Sequence, residues 1–176
     1  MLELFEPIEI GPFKDEYEFL SNFYPSTIRF RHPRIGIELE APTVEHAYQA
    51  CKTVHLSEIE YVLAAETPGE AKRRGRQVSL VPDWEDVKVG TMYSLVLMKF
   101  KSSSELEYKL ISTGDAVLIE KNWWHDNQFG ACVCDKCRGK VKHNYLGKVL
   151  MLVRDKLVFD YNTSMKLMTN FGEKEC

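Results

Sequence analysis

Helix-start signals recur through the middle of this chain and constrain its fold more than any other feature. Pro42-Thr43 precedes "VEHAYQACK", where apolar positions return at helical spacing. Thr43 is the cap expected before such a run, which extends to about His55. A second helical pattern begins near Ser57 and stops before Thr67-Pro68-Gly69-Glu70. That tetrapeptide is a fresh start: Thr67 caps, Pro68 takes the first helical position and Glu70 closes a capping box. Pro82-Asp83 opens a longer helix whose Trp84, Val87, Met92, Leu95, Val96, Met98 and Phe100 form a core-facing stripe. Ser104 with Glu107 makes another box, and that helix ends at Thr113-Gly114.

The flanks read differently. Ile28 and Phe30, then Ile37 and Leu39, alternate with polar residues and face one side of a hairpin closed around Pro33–Gly36. "AVLIE" (116–120) is a short apolar run that suits a buried strand. Residues 121–143 are rich in Trp, Asn, Asp, Gly, Cys and Lys, and a loop of that length inside a domain is usually functional or metal-stabilised. "NYLGKVLMLVRDKL" resumes a helical pattern, and the residues after Asp160 are weakly patterned. The expectation is one α+β domain over residues 1–160, mostly helical with a small sheet or hairpin, followed by a weakly structured tail over 161–176.

A chain of 176 residues is long enough for one sizeable core. The formal net charge of -3 provides no global basic field, so any nucleic-acid contact must be local. No apolar run approaches the roughly 18 residues of a membrane span, and "MLELFEPIEIGPF" lacks the basic start of a signal peptide. Cysteines stand at 51, 132, 134, 137 and 176, an odd number with three clustered. That usage suits a reducing compartment, hence a cytoplasmic expectation, better than a disulfide framework.

With Thr43 as cap, Glu45 is the second helical residue. Free backbone N–H groups and the positive end of the helix dipole favour its ionised form, which suits a base, a nucleophile or a stabiliser of positive charge. Gln49 and Lys52 follow on its face at i+4 and i+7. Acidic residues in a first helical turn also occur for stability alone, and His46 reads as a packing residue. In "AKRRGR", Arg76 follows the expected C-cap Gly75 and offers a planar donor for phosphate, whereas Lys72 and Arg73 read as a solvated face. Cys132, Cys134 and Cys137 with one imidazole, assigned to His143, would complete a tetrahedral structural zinc site. His125, Cys51 and Cys176 are other candidates for the fourth position, and three reduced loop thiols are the alternative to a metal.

The segments "FLSNFYPSTI", "TVEHAYQACK", "EAKRRGR", "DWEDVKVGTMYSLVLMKF", "LISTGDAVLIE", "HDNQFG" and "HNYLGKVLMLVR" follow one another from about Phe19 to Arg154. In that order they resemble the NADAR superfamily, the YbiA-like proteins linked to NAD and ADP-ribose metabolism. The resemblance implies a mainly helical α+β domain and an N-glycosidase activity. Its substrates would be ADP-ribose on guanine in DNA or nucleotides, or early riboflavin-pathway intermediates. The family's catalytic glutamate falls on Glu45, its Gly-Arg pair on Gly75 and Arg76, and its aspartate on Asp126. Its Asn-x-Leu-Gly falls on Asn144, Leu146 and Gly147. Where the family has Trp-Gly this chain has Phe129 and Gly130, keeping an aromatic face but losing the indole N–H. Ala131 follows, where the family often has an acid or amide.

Cleavage of an N-glycosidic bond builds positive charge at the anomeric carbon, which a fixed anion such as Glu45 would stabilise. Asp126 is the candidate second carboxylate, because glycoside hydrolases commonly pair two. Asn22 and Asn144 are candidates to orient ribose hydroxyls, and Phe23 joins the substrate-binding set. Phe129 is favoured over Trp123 and Trp124 for stacking on a base, and Trp84 reads as core. The expected partner is an ADP-ribosyl or phosphoribosyl substrate, ADP-ribosylated DNA among them, with no cofactor required for catalysis. Two other readings stand beside this one: a non-catalytic ADP-ribose reader, and a zinc-stabilised nucleic-acid module over residues 121–143.

Overall fold

Thr43 behaves as its position demands: its Oγ1 accepts the His46 N–H at 3.3 Å and opens helix α1 (Val44–Ala50). The computed structural model describes residues 7–172. Helix α1 ends at Cys51, earlier than His55. Thr53 ends the helical run, its Oγ1 accepting the His55 N–H at 3.2 Å while its hydroxyl donates to Glu58. That arrangement starts α2 (Leu56–Leu63). Thr67 Oγ1 accepts the Glu70 N–H at 3.1 Å and opens α3 (Pro68–Arg74). The Glu70 carboxylate reaches back one residue further than a capping box, to the Glu66 N–H at 3.1 Å.

The long helix α4 (Trp84–Lys101) buries Trp84, Met92, Leu95, Val96 and Phe100, with Val87 half-buried. Met98 departs from the expected stripe and is exposed, whereas Lys99 is buried. The Lys99 Nζ donates to the Ser21 carbonyl at 2.7 Å, and burial pulls its pKa down to about 7. The cap of α5 (Ser104–Ile111) is Ser103, one residue earlier than expected, its Oγ accepting the Leu106 N–H. Past this helix, Gly114 takes a left-handed turn at φ +55.

Strands are short. The expected hairpin is β2 (Ile28–Arg31) against β3 (Glu38–Ala41), antiparallel, with Phe30 opposite Leu39. The apolar run at 116–120 supplies β4 (Val117–Leu118), which pairs in parallel with β1 (Glu9–Ile10). Residues 121–143 contain β5 (Lys121–Asn122), paired in parallel with β6 (Ala131–Cys132), and a 3-10 turn at Asp135–Cys137. Helix α6 (Tyr145–Gly172) follows.

The helix corrects one boundary: α6 passes Asp160 without a break and continues to Gly172, where a weakly structured tail was expected. Ion pairs from Asp160 to Lys101 and Lys156 hold the junction. Extending a formed helix fixes one residue per hydrogen bond, so polar spacers alone do not stop it. Among the described residues no helix is long and apolar enough to cross a membrane.

The main core gathers α1, α4, α5, α6, the hairpin and β4 around Leu20, Ile28, Val44, Phe100, Leu118 and Leu150. A second, smaller cluster of Ala50, Ile59, Val62, Ala65 and Ala71 binds α2 and α3 to α1. Ala50 and Ala71 are fully buried within it, and the C-terminal end of α3 lies close to α1 at Gly75 and Gln49, both of which line a cleft.

Candidate active site

A cleft of about 970 Å³ opens where α1, α3, the N-terminal end of α4 and the 120–129 segment meet. A second depression of about 760 Å³, bordered by Thr27, Arg29, Glu40, Ser94 and Lys101, has only exposed polar groups on its walls. The cleft is therefore the place where buried chemistry is available.

Glu45 projects from α1 into this cleft and is only 5% exposed. Its backbone N–H donates to the Asn22 carbonyl at 3.1 Å, and its Oε1 accepts from Gln49 Nε2 at 2.8 Å. The i+4 relation thus becomes a direct bond. The expectation that the helix start keeps Glu45 readily ionised is corrected: burial raises its pKa. Lys72, the Gln49 bond and Lys52 pull it back down, and Asp126 raises it further. A carboxylate stripped of water loses more than a seven-residue helix returns.

Lys52 lies past the end of α1 yet lines the cleft, its Nζ 5.8 Å from the Tyr48 ring centre and 5.9 Å from that of Trp84. Burial lowers its pKa and the Glu45 charge opposes that. Arg76 is exposed at the rim of the cleft. Lys72, assigned to a solvated face from the sequence, lines the cleft and is the foremost cation acting on Glu45. Arg74 instead serves the fold, pairing with Glu70 at 2.8 Å.

Gly75 is the C-cap of α3, at φ -66, which any residue can adopt. Its requirement is space: a Cβ there would lie 2.1 Å from Gln49 Oε1. Gly130 answers the same need, since a Cβ would meet Asn122 Nδ2 at 2.5 Å and the Glu120 carbonyl at 2.7 Å.

Asn22 and Phe23 both line the cleft, Asn22 buried and Phe23 exposed. Phe129 is half-buried, edge-on to Tyr48 at 5.5 Å and to Tyr145 at 5.9 Å. Asp126 lines the cleft, with its Oδ1 accepting the N–H groups of Gln128 and Phe129 at 3.0 Å each. It therefore folds its own loop as well as facing the site.

Asn144 does not line the cleft. Its Oδ1 accepts the Glu120 N–H at 3.0 Å and its Nδ2 donates to the Leu118 carbonyl at 2.8 Å, so both ends are engaged by backbone. It sets the position of Glu120, a residue that sequence reasoning missed. Glu120 ends the "AVLIE" run and lines the cleft. Burial, with the Asp126 charge adding to it, pushes its pKa up to about 7. An ionisable residue closing an otherwise apolar buried strand was the available signal. Among the described residues, Asn22 Oδ1, Gln49 Oε1 and Glu120 Oε2 are buried without a hydrogen-bond partner. All three residues line this cleft.

His46 is a packing residue, its Nδ1 2.8 Å from Thr43 Oγ1 and its Nε2 3.1 Å from the Ala65 carbonyl. His143 is corrected as a metal ligand: its ring stacks on Tyr145 at 5.1 Å, and the imidazole beside the three thiols belongs to His125. The chain leaves Cys137 through Gly139 at φ +75 and returns with the His143 N–H on the Asn127 carbonyl. Cys51 is a buried thiol at the end of α1, and Cys176 lies outside the described residues.

The model of the NADAR domain matches residues 10–158. The chain is 35% identical to an N-glycosidase of Nostoc punctiforme over 80% of its own length and 86% of the relative's. It is 31% identical to a riboflavin biosynthesis protein of Vibrio vulnificus, covering 95% of this chain but only 45% of that protein. The NMR structure of the Escherichia coli protein YbiA superposes with a TM-score of 0.71 at 30% identity, over 88% of this chain and 86% of that one. With most of its length matched in sequence and in fold, the chain belongs to the NADAR domain family.

Proposed function

We propose that the protein is an N-glycosidase hydrolysing the N-glycosidic bond of an ADP-ribosyl or phosphoribosyl adduct, foremost ADP-ribose on guanine in DNA or a nucleotide. The observation that carries this reading is Glu45, a buried carboxylate held by Gln49 in a cleft with Lys52, Lys72 and Arg76 on its walls. The names of the Nostoc relative and of Escherichia coli N-glycosidase YbiA support cleavage of N-glycosyl bonds.

The chemistry follows from the environment. As the bond to the base breaks, positive charge grows on the anomeric carbon. Two opposite charges 4 Å apart attract by about 4 kcal/mol at an effective dielectric of 20, against about 1 kcal/mol in water. Burial that penalises the Glu45 anion standing alone thus makes a cation beside it more valuable. Glu120, protonated in part near neutrality, donates its proton to the departing base. Asp126 holds the loop that carries Phe129 and shapes the far wall. Water then adds its oxygen to the anomeric carbon, and its proton passes to a carboxylate. The substrate phosphates pair with Lys72, Lys52 and Arg76. Exposed Trp124 on the cleft wall and its exposed neighbour Trp123, with Lys14 5.3 Å from the Trp123 ring centre, offer stacking for neighbouring bases of DNA.

A second reading, a phosphoribosyl intermediate of riboflavin synthesis, is favoured by the names of the Vibrio vulnificus and Zea mays relatives. The free thiols suit the reducing cytoplasm as the place of action. The deciding assay offers ADP-ribosylated DNA, ADP-ribosylated nucleosides and aminopyrimidine ribotides in parallel and measures released base. Glu45→Gln is expected to lose at least a hundredfold in kcat, about 2.7 kcal/mol of transition-state stabilisation. Full activity of folded Glu45→Gln would overturn the assignment, and tight binding without turnover would make the protein a reader.

A further inference from the structure

We infer that His125, Cys132, Cys134 and Cys137 form a closed tetrahedral zinc site whose task is to fasten the active-site loop. The four ligand atoms all lie within 4.8 Å of one another. His125 Nδ1 is 3.2 Å from Cys134 Sγ, 3.3 Å from Cys137 Sγ and 4.0 Å from Cys132 Sγ, and the Cys132 and Cys134 sulfurs are 3.3 Å apart. A tetrahedron built from the usual zinc bond lengths has edges of about 3.6 Å for N to S and about 3.8 Å for S to S. The observed edges fall on both sides of those values, so a small movement closes the polyhedron.

The surroundings are built for thiolates. Backbone N–H groups of Cys134 and His125 point to the Cys132 sulfur, and that of Cys137 to the Cys134 sulfur. Such bonds orient and stabilise metal-bound sulfur. His125 adopts φ +68, a left-handed conformation uncommon for a residue with a side chain, and its ring meets the thiols from that geometry. Three sulfurs and one nitrogen leave no open coordination position, which is the arrangement of a structural site. One imidazole and three thiolates also match zinc better than the four cysteines of an iron–sulfur cluster.

The loop needs such a fastening. Trp123, Trp124, Val133 and Val141 are all exposed, and β5 and β6 have two residues each. Little apolar burial is therefore available to hold the segment. The site joins His125 to the Cys132–Cys137 stretch, and His125 is followed directly by Asp126. Both line the cleft. Fixing the metal thereby fixes one wall of the active site, whatever the leaving group proves to be.

The test uses the full chain, reduced and stripped of metal, then titrated with zinc or cobalt. Expected are one zinc per chain by elemental analysis and, with cobalt, the visible bands of tetrahedral coordination together with thiolate charge-transfer absorption. His125→Ala and Cys137→Ser should lose the metal, whereas His143→Ala and Cys51→Ser should keep it. Removing zinc from the unsubstituted protein should cut hydrolysis at least tenfold while helical circular dichroism persists. Failure of the reduced, folded wild-type chain to bind zinc or cobalt stoichiometrically would overturn the proposal without any appeal to variants. Loss of metal from His143→Ala with retention in His125→Ala would overturn the ligand set. Full hydrolysis by the zinc-free enzyme would overturn the fastening role.

Discussion

Replacing Gly75 by Ala tests the link between helix packing and the chemistry of Glu45. The new Cβ would lie 2.1 Å from Gln49 Oε1, 2.7 Å from Gln49 Cβ and 2.8 Å from Gln49 Cδ, so the amide must leave its place. That amide donates to Glu45 Oε1 at 2.8 Å. A hydrogen bond to a charged acceptor is worth about 1.5–3 kcal/mol. Burial already raises the Glu45 pKa and the Gln49 bond opposes it, so losing the bond raises it further. Each 1.36 kcal/mol displaces a titration by one pH unit. The acidic limb of kcat/KM should therefore move alkaline by about one to two pH units. Overpacking should also lower stability by about 1–3 kcal/mol, visible as a lower Tm. Gly69→Ala in the same helix is the control, because a Cβ there meets nothing within 4 Å. It should stabilise by about 0.5–1 kcal/mol and leave the pH profile alone. A wild-type acidic limb in folded Gly75→Ala, or an equal shift in Gly69→Ala, would refute the argument.

Three further outcomes are expected. Glu120, raised from 4.5 to about 7, binds its proton more tightly folded than unfolded, so its stabilising contribution is full below pH 4.5 and is lost as pH rises through 7. Glu120→Gln should therefore raise Tm at pH 8, by up to about 3 kcal/mol in stability, change it little at pH 4.5, and reduce kcat; equal Tm changes at both pH values would contradict this. Asn144→Ala leaves the Glu120 N–H and Leu118 carbonyl without partners and places Ala at φ +49. It should cost about 3 kcal/mol by denaturant unfolding and lower kcat more than it alters KM. Lys72→Met removes the foremost cation acting on Glu45. The acidic limb should move alkaline, KM should rise for substrates with phosphates, and the salt dependence of KM should weaken.

The helical half of the fold was legible because capping is local. Thr43 and Thr67 each close a bond to an N–H three residues on, a relation written within one turn of sequence, and Ser103 does the same one residue before the cap expected at Ser104. The hairpin was legible for the same reason, since Phe30 and Leu39 face each other across one short turn. Glu45 and Gln49 were legible as a pair because helical spacing alone brings them together. Glu120 and Lys72 were not. They reach Glu45's cleft only when α3 packs on α1 and the chain beyond β4 folds up to the same cleft, and no short window of sequence encodes that arrangement. The choice between His125 and His143 failed likewise. Both lie near the cysteines in sequence, but a single left-handed residue turns one ring to the thiols while the other stacks on Tyr145.

Glu45 marks where local physics gives the wrong sign. Seen from the sequence, a carboxylate in a first helical turn gains from the dipole and from free N–H groups, and should stay ionised. In the fold, the Glu45 N–H is taken by the Asn22 carbonyl and the side chain is buried at the wall of the cleft. Exposed dipole effects of about 0.3–1 kcal/mol are then small beside the loss of hydration, and burial decides the direction. In the proposed N-glycosidase reading, the same burial gives the residue its use. A carboxylate kept comfortable by water would have little to gain from a nearby cation. One held in the cleft by Gln49 and steadied by Lys72 and Lys52 gains most when positive charge develops beside it, which is the moment at which an N-glycosidic bond breaks.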